Sequence, residues 1–369
     1  MMPTSPYPQS PHIKGIRWTS EVVRYPNFDG DTFSLAWADD GQLYTSADDT
    51  LGHGADGRFT ETNCNLAIYR VDGTPPDHRM TLVNPMRAFG NRCQIDGEAT
   101  WKANGMTCVD GVLYLSVSQH WHFFPDLIQR THDASILKSA DHGRTWSAKP
   151  AAGTGGMFPG PHFSTPFFVK FGQDNAGAFD DFVYAASNNG SWNNGNYMTL
   201  GRVHRTRIAA LDPMDWEFFT GLDAGGSPTW RRELVRNVVR PITVDGGDTP
   251  DSTSHLTPIY RHRGFTGMTG MQYVPAVRRF LMGQWSYTDL DAHKFERTTL
   301  FLCEAERPWG PWHHVHTEPN WNNAYYGPEF PAKWFEADGL RLWMTASGSF
   351  AGLPRPDYSL CAQQLELLL

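Results

Sequence analysis

The feature that most constrains this chain is a hairpin that returns along it. The first copy is "GDTFSLAWADDGQLYTSADD" (30–49), in which a strand from Thr32 to Ala38 meets an Asp39-Asp40-Gly41 turn and a second strand runs through Leu43 and Tyr44. An Asp-Gly pair between apolar runs selects a tight β-turn, because glycine takes a positive φ without steric cost. The unit recurs as "WKANGMTCVDGVLYLSVSQH" (101–120) and "EFPAKWFEADGLRLWMTASG" (329–348), and more loosely at 162–189 and 266–287.

After most hairpins comes a third strand, then a turn and a tryptophan expected to open a fourth. "SILKSADHGRTWS" (135–147) fits S-x-D-x-G-x-T-W, the Asp-box of sialidases and other propellers, and its Ser139, Asp141, Gly143 and Trp146 read as a turn stabiliser. Trp216 and Trp312 stand in the same place in later units. Four strands per unit, repeated radially, predict an all-β, five-bladed β-propeller. The long interval between the hairpins at 162 and 266 leaves room for a sixth blade, but its excess (222–260) reads better as an insertion over one face. The tail "YSLCAQQLELLL" supplies the third strand of blade five, and "KGIRW" (14–18) its fourth, so an N-terminal strand closes the ring. Residues 1–13 read as a flexible lead-in, and 1–369 as a single domain.

Composition agrees. Aromatic residues make up 13% of the chain, with 35 Gly and 26 Pro, which suits many turns and flat stacking surfaces. A net charge of −8 with no basic stripe argues against a nucleic-acid partner, and no apolar run is long enough for a membrane helix. The opening lacks the apolar centre of a signal peptide. The location is therefore open: cytoplasmic, or secreted or periplasmic if a leader has been removed. The five cysteines lack metal-ligand spacing and read as buried small side chains.

In a propeller the first strand of each blade starts beside the axis on the ligand face. Asp39, Asp40, Asp110 and Asp338 then belong to turns on the far side. Asp31 lies ten residues before its turn glycine, where side chains from all blades converge, and the same count picks out Trp101 and Glu329. Asp29, Asp48 and Asp49 reach the same face. Clustered carboxylates are costly to bury unless paired or put to use, and glycosidic hydrolysis needs one protonated and one ionised carboxyl. Asp31, Asp49 and Glu329 are thus the candidate catalytic acids. Backbone hydrogen bonding or a structural calcium in the channel are the other uses of such a cluster, and no cofactor is required. Asp48, Lys102, Asn104, His120, His122, His162, Trp192, Trp285 and Tyr326 are the candidate sugar-binding groups.

The first hairpin also resembles the opening of the endo-D-arabinanase family, glycoside hydrolases that cut mycobacterial D-arabinan. That family has an Asp, a W-A-D-D-G-x-L-Y turn and a second Asp, matched here by Asp31 and Asp49. "PWGPW" (308–312) and "PEFPAKW" (328–334) are similar to later segments. The resemblance implies a five-bladed propeller and an inverting hydrolase with two acidic residues acting on a polysaccharide. Thr32-Phe33-Ser34 and Asp48-Asp49-Thr50 depart from the family pattern, which points to a substrate of this chain's own. Two other functions fit the residues. One is a lyase on uronic-acid glycans, with His120, His162 or a tyrosine as base and Lys102, Arg92 or calcium neutralising the carboxylate. The other is a propeller that binds sugar without turning it over.

Overall fold

A computed structural model describes residues 4–51, 63–97, 99–121, 127–232, 256–290, 294–350 and 357–369. Regular structure in them is strand, apart from single turns of 3-10 helix. The chain opens with β1 (Gly15–Trp18) and β2 (Val23–Arg24). Blade one is β3 (Leu35–Trp37), β4 (Leu43–Thr50), β5 (Cys64–Asp72) and β6 (Arg79–Asn84). Blade two is β7 (Thr100–Val109), β8 (Val112–Trp121) and β9 (Arg130–Ser139). Blade three is β10 (Thr165–Lys170), β11 (Phe182–Asn188), β12 (Gly195–His204), β13 (Trp216–Leu222) and β14 (Pro228–Arg231), with β15 (Tyr260–Thr266) also against β12. Blade four is β16 (Met271–Val274), β17 (Arg279–Tyr287), β18 (Thr298–Ala305) and β19 (Trp312–Glu318). Blade five is β20 (Tyr326–Glu329), β21 (Arg341–Ser347) and β22 (Leu360–Leu368), completed by β1, whose Gly15 pairs with Leu368.

The innermost strands touch in sequence until the ring shuts. Met106 N donates to Ser34 Oγ (2.8 Å), joining β7 to β3. Gly105 lies so near β10 that a Cβ there would stand 2.4 Å from Phe167 Cα, so only glycine fits between blades two and three. β10 pairs in parallel with β16 through Val169 and Met271. Gly270 N donates to Pro328 O (2.9 Å), and Leu35 N to Glu329 Oε2 (2.8 Å), which returns the circuit to blade one. Apolar side chains fill the seams between neighbouring blades, for example Trp101 with Ile68 between one and two, and Trp334 with Tyr69 between five and one. This is a β-propeller.

Three local features differ from the sequence reading. Trp216 and Trp312 do open outer strands, but Trp146 does not. Its turn is closed by side chains instead: Asp141 accepts from Thr145 N (2.8 Å), and Trp146 Nε1 donates to Gly143 O (3.0 Å). Second, the lead-in is docked rather than free from Tyr7 to Ile13. Tyr7 stacks on Tyr260, Ser10 N donates to His314 O (2.7 Å), Ser10 Oγ donates to the buried Glu304 (2.7 Å), and Ile13 enters the core between blades four and five. Third, most of the expected insertion, residues 233–255, lies outside the described residues, while its flanks form β14 and β15.

Candidate active site

Asp31 and Asp48 exchange backbone hydrogen bonds, with Asp31 N donating to Asp48 O (3.0 Å) and Asp48 N to Asp31 O (2.8 Å). The residue after each has a left-handed backbone: φ is 51° at Thr32 and 44° at Asp49. For a β-branched residue this costs on the order of 1–3 kcal/mol. It is held by Thr32 N donating to Ser347 Oγ of blade five (2.8 Å) and Ser46 Oγ donating to Thr32 O (3.2 Å). Successive strand residues normally point to opposite faces. The twist at Asp49 breaks that alternation, and both Asp48 and Asp49 act on Lys102.

Lys102 Nζ lies 2.5 Å from Asp49 Oδ2, with only 4% of its side chain exposed. Burial pushes this ammonium down, and Asp49, Asp48 and Asp31 together push it up further, so it stays charged. Asp49 Oδ1 accepts from Cys93 N (3.3 Å). Asp31 Oδ2 accepts from Tyr326 Oη (2.6 Å), its Oδ1 accepts from Thr32 Oγ1 (3.1 Å), and the Tyr358 hydroxyl bonds it as well. Burial first, then the Asp49 charge, hold the Asp31 carboxyl above the ordinary carboxylate range; Lys102 and the tyrosines offset only part of this. At the rim, Arg92 donates to Asp29 Oδ1 (2.6 Å) and lies over the Tyr358 ring.

Asp48 is fully buried, accepts from Ala103 N with both oxygens (3.2 and 3.1 Å), and burial raises its carboxyl well above 3.8. In the window between the unfolded value of 3.8 and its raised folded value, folded Asp48 keeps a proton that the unfolded chain has lost. Its contribution is therefore most favourable below that window and is lost as pH rises. Asp48→Asn should gain stability relative to wild type as pH rises from about 4 towards neutrality. Urea unfolding of both proteins across that range checks this, and a difference independent of pH would refute it.

The structure brings Asp31, Asp48, Asp49, Lys102 and Tyr326 together at one end of the channel. Other candidates lie elsewhere. Glu329 pairs with Thr345, deeper along the channel, and is engaged on both oxygens: Ser34 Oγ donates to Oε1 (2.8 Å), and Leu35 N (2.8 Å) and Lys170 Nζ (2.6 Å) meet Oε2. The count back from the turn glycine misplaces it because a 3-10 turn, Ala332–Trp334, separates β20 from β21. Tyr326 is the residue that faces Ser347 at the end of β21, as Asp31 faces Asp48. Trp101 sits in the seam between blades one and two, donating to Asp96 (2.9 Å). Trp285 is 1% exposed and donates to Met268 O (2.6 Å), and Trp192 is buried against the His120 ring, so both pack rather than offer open platforms. Trp285→Ala should cost about 3–5 kcal/mol of stability; calorimetry showing an unchanged melting transition would overturn this.

His162 is buried ahead of β10, and its carbonyl accepts from Thr199 Oγ1 (3.0 Å). Asn104 accepts from Ser118 Oγ (3.0 Å), while among the described residues its buried Nδ2 has no hydrogen-bond partner, and neither do the amide of Asn188 and Asn193 Nδ2. His122 lies outside the described residues. Among the described residues no group of three or more His, Cys, Asp or Glu side chains is arranged to hold a metal ion, and Lys102 supplies positive charge to the acidic cluster. Arg92, Cys93 and Tyr358 complete the site. Tyr358 and Cys93 sit outside the repeated hairpin, so the repeat gives no signal for them.

No family model matches this chain, and no curated protein does. Among solved structures, it is similar to a Bacteroides ovatus protein provisionally named as a hydrolase, with a TM-score of 0.56 and 11% identity over 99% of this chain and 96% of that one. This likeness shows the fold. Looser likenesses are to a GH43_1 enzyme from Xanthomonas citri (TM-score 0.48, 10% identity, 93% and 89% covered) and to a xylan β-1,4-xylosidase from Bacillus halodurans (0.44, 11%, 97% and 54%).

Proposed function

We propose that this chain is a glycoside hydrolase that cuts arabinofuranoside-type linkages in a polysaccharide with inversion, Asp31 acting as general acid and Asp49 as general base. One observation carries the reading: two acids in a single mouth have opposite surroundings. Asp31 is held above the ordinary carboxylate range, and Asp49 is paired with a buried lysine. Such a split is how a pair of like groups divides acid and base work. In the reaction the Asp31 carboxyl gives its proton to the glycosidic oxygen as the bond from that oxygen to the anomeric carbon breaks. A water oxygen bonds to the anomeric carbon from the opposite face, and its proton passes to Asp49. The buried amides of Asn104, Asn188 and Asn193 suit a polyhydroxylated substrate, since buried polar atoms are nearly always satisfied in the working state.

The test is incubation with D-arabinan, L-arabinan, arabinogalactan and uronate-containing gums, reading reducing ends, ultraviolet absorbance and the anomer first released. New reducing ends of inverted configuration without a chromophore support the reading. A chromophore would make the chain a lyase, retained configuration would remove the inverting step, and tight binding without turnover would make it a lectin-like propeller.

A further inference from the structure

We propose that Lys102 is a positioning residue that decides which carboxyl holds the proton: its ammonium keeps Asp49 as the carboxylate and leaves the proton on Asp31. This deepens the hydrolase reading and rests on it. The argument is one of donors and acceptors. An ammonium and a backbone N–H can only donate. Asp49 presents Oδ2 to Lys102 Nζ at 2.5 Å and Oδ1 to Cys93 N at 3.3 Å, so a proton on either oxygen would oppose a donor. Asp31 meets the hydroxyls of Tyr326, Thr32 and Tyr358, each of which can turn and accept. Two acids in one buried mouth do not both ionise cheaply, so this difference in partners places the proton.

The lysine comes from a specific place. Lys102 faces Ser118 across the innermost hairpin of blade two, and the register shift between Ala103 and Gly105 follows it directly. No titratable group of the described site other than Lys102 comes from β7. Among the described residues the other charged and titratable groups around the pair are Asp29 and Asp48 from blade one, Arg92 and Cys93 from the segment before blade two, Tyr287 from blade four, and Tyr326 and Tyr358 from blade five. Among the described residues Arg92 is engaged with Asp29, and Lys102 is in contact with Asp49.

The experiment follows the aspartate carboxyl carbons by NMR through a pH titration, with Asp31→Asn and Asp49→Asn used for assignment. In the wild type Asp49 should stay ionised to lower pH than Asp31. Lys102→Met should raise the Asp49 midpoint by about 1–3 pH units, and Lys102→Arg should restore it. The acid limb of the pH–activity profile should move with it. If Lys102→Met fails to fold, the order of titration in the wild type still decides. Asp31 ionising before Asp49, or an Asp49 midpoint unmoved in Lys102→Met, overturns the proposal. If the titrations behave as stated but no polysaccharide of the panel is cut, the hydrolase reading falls and the charge ordering stands. If Asp31→Asn and Asp49→Asn both cut at the wild-type rate, those two acids lose their catalytic roles while the charge ordering stands.

Discussion

Asp49→Asn should lower turnover by roughly 10²–10⁴-fold, and Asp31→Asn by a similar factor on natural linkages. Both replacements keep the shape and an acceptor oxygen. At position 31 the new amide oxygen can still receive the Tyr326 hydroxyl, so circular dichroism and melting should change little. Asp49→Asn leaves the buried Lys102 ammonium without its carboxylate and should also lower stability, so its rates are corrected for folded fraction. The two variants should part company on a nitrophenyl arabinofuranoside. Nitrophenolate leaves without needing a proton, so the rate with Asp31→Asn should recover towards wild type while Asp49→Asn stays slow. The asymmetry follows from the partners of each acid: the group beside the ammonium is the base, and the group among hydroxyls is the acid. Recovery in the Asp49 variant instead would exchange the two roles, and near-normal rates in either would remove that residue from the chemistry.

Lys170→Met should destabilise the protein by about 3–5 kcal/mol with little effect on the rate per folded molecule. Glu329 is 2% exposed and belongs to blade five, yet it binds Ser34 and Leu35 of blade one and Lys170 of blade three, and lies against Gly270 beside blade four. Deleting the lysine strands a carboxylate where water cannot reach it. Glu329→Gln should be milder. Burial outweighs Glu329 in setting the Lys170 ammonium, which is pushed down, so that lysine can shed its proton when its partner goes. Chemical denaturation of both variants, with rates corrected for folded fraction, makes the comparison. A folded Glu329→Gln protein without turnover would return Glu329 to the reacting groups, as its place in the repeat first suggested.

The ring was legible because its hairpins advertise themselves. Asp-Gly turns, and tryptophans opening the outer strands of blades three and four, need only local pattern. Depth and facing were harder. Between Ala103 and Gly105 the strand pairing shifts by a residue, and a shift of one turns a side chain to the other face, so counting chose Trp101 where Lys102 is the group in the mouth. The 3-10 turn at Ala332–Trp334 displaced Glu329 in the same manner. Asp31 and Asp49 were found because the pairing of Leu35–Trp37 with residues 43–45 keeps its register in the first hairpin, although the left-handed turns at Thr32 and Asp49 are not legible in it. Cys93 and Tyr358 come from segments without periodicity, where nothing in the chain marks them as neighbours of those acids, and Arg92 stood out only as a cation for the lyase reading.

The pairing of β1 with β22 governs when this protein can first exist in working form. Gly15 waits for Leu368. As the chain leaves the ribosome, blades one to four can assemble in turn, each hairpin contributing contacts near in sequence. The seam between blades five and one, with Tyr25 and Leu35 on one side and Leu360 and Ala362 on the other, stays wet until β22 emerges. Contacts so distant in sequence form late and slowly. Until they do, an open arc with two raw edges is exposed to other chains. The same seam carries Tyr358, which bonds Asp31, and Tyr326 lies on the blade that must dock there. An arc arrested before closure would therefore be both prone to aggregate and inert.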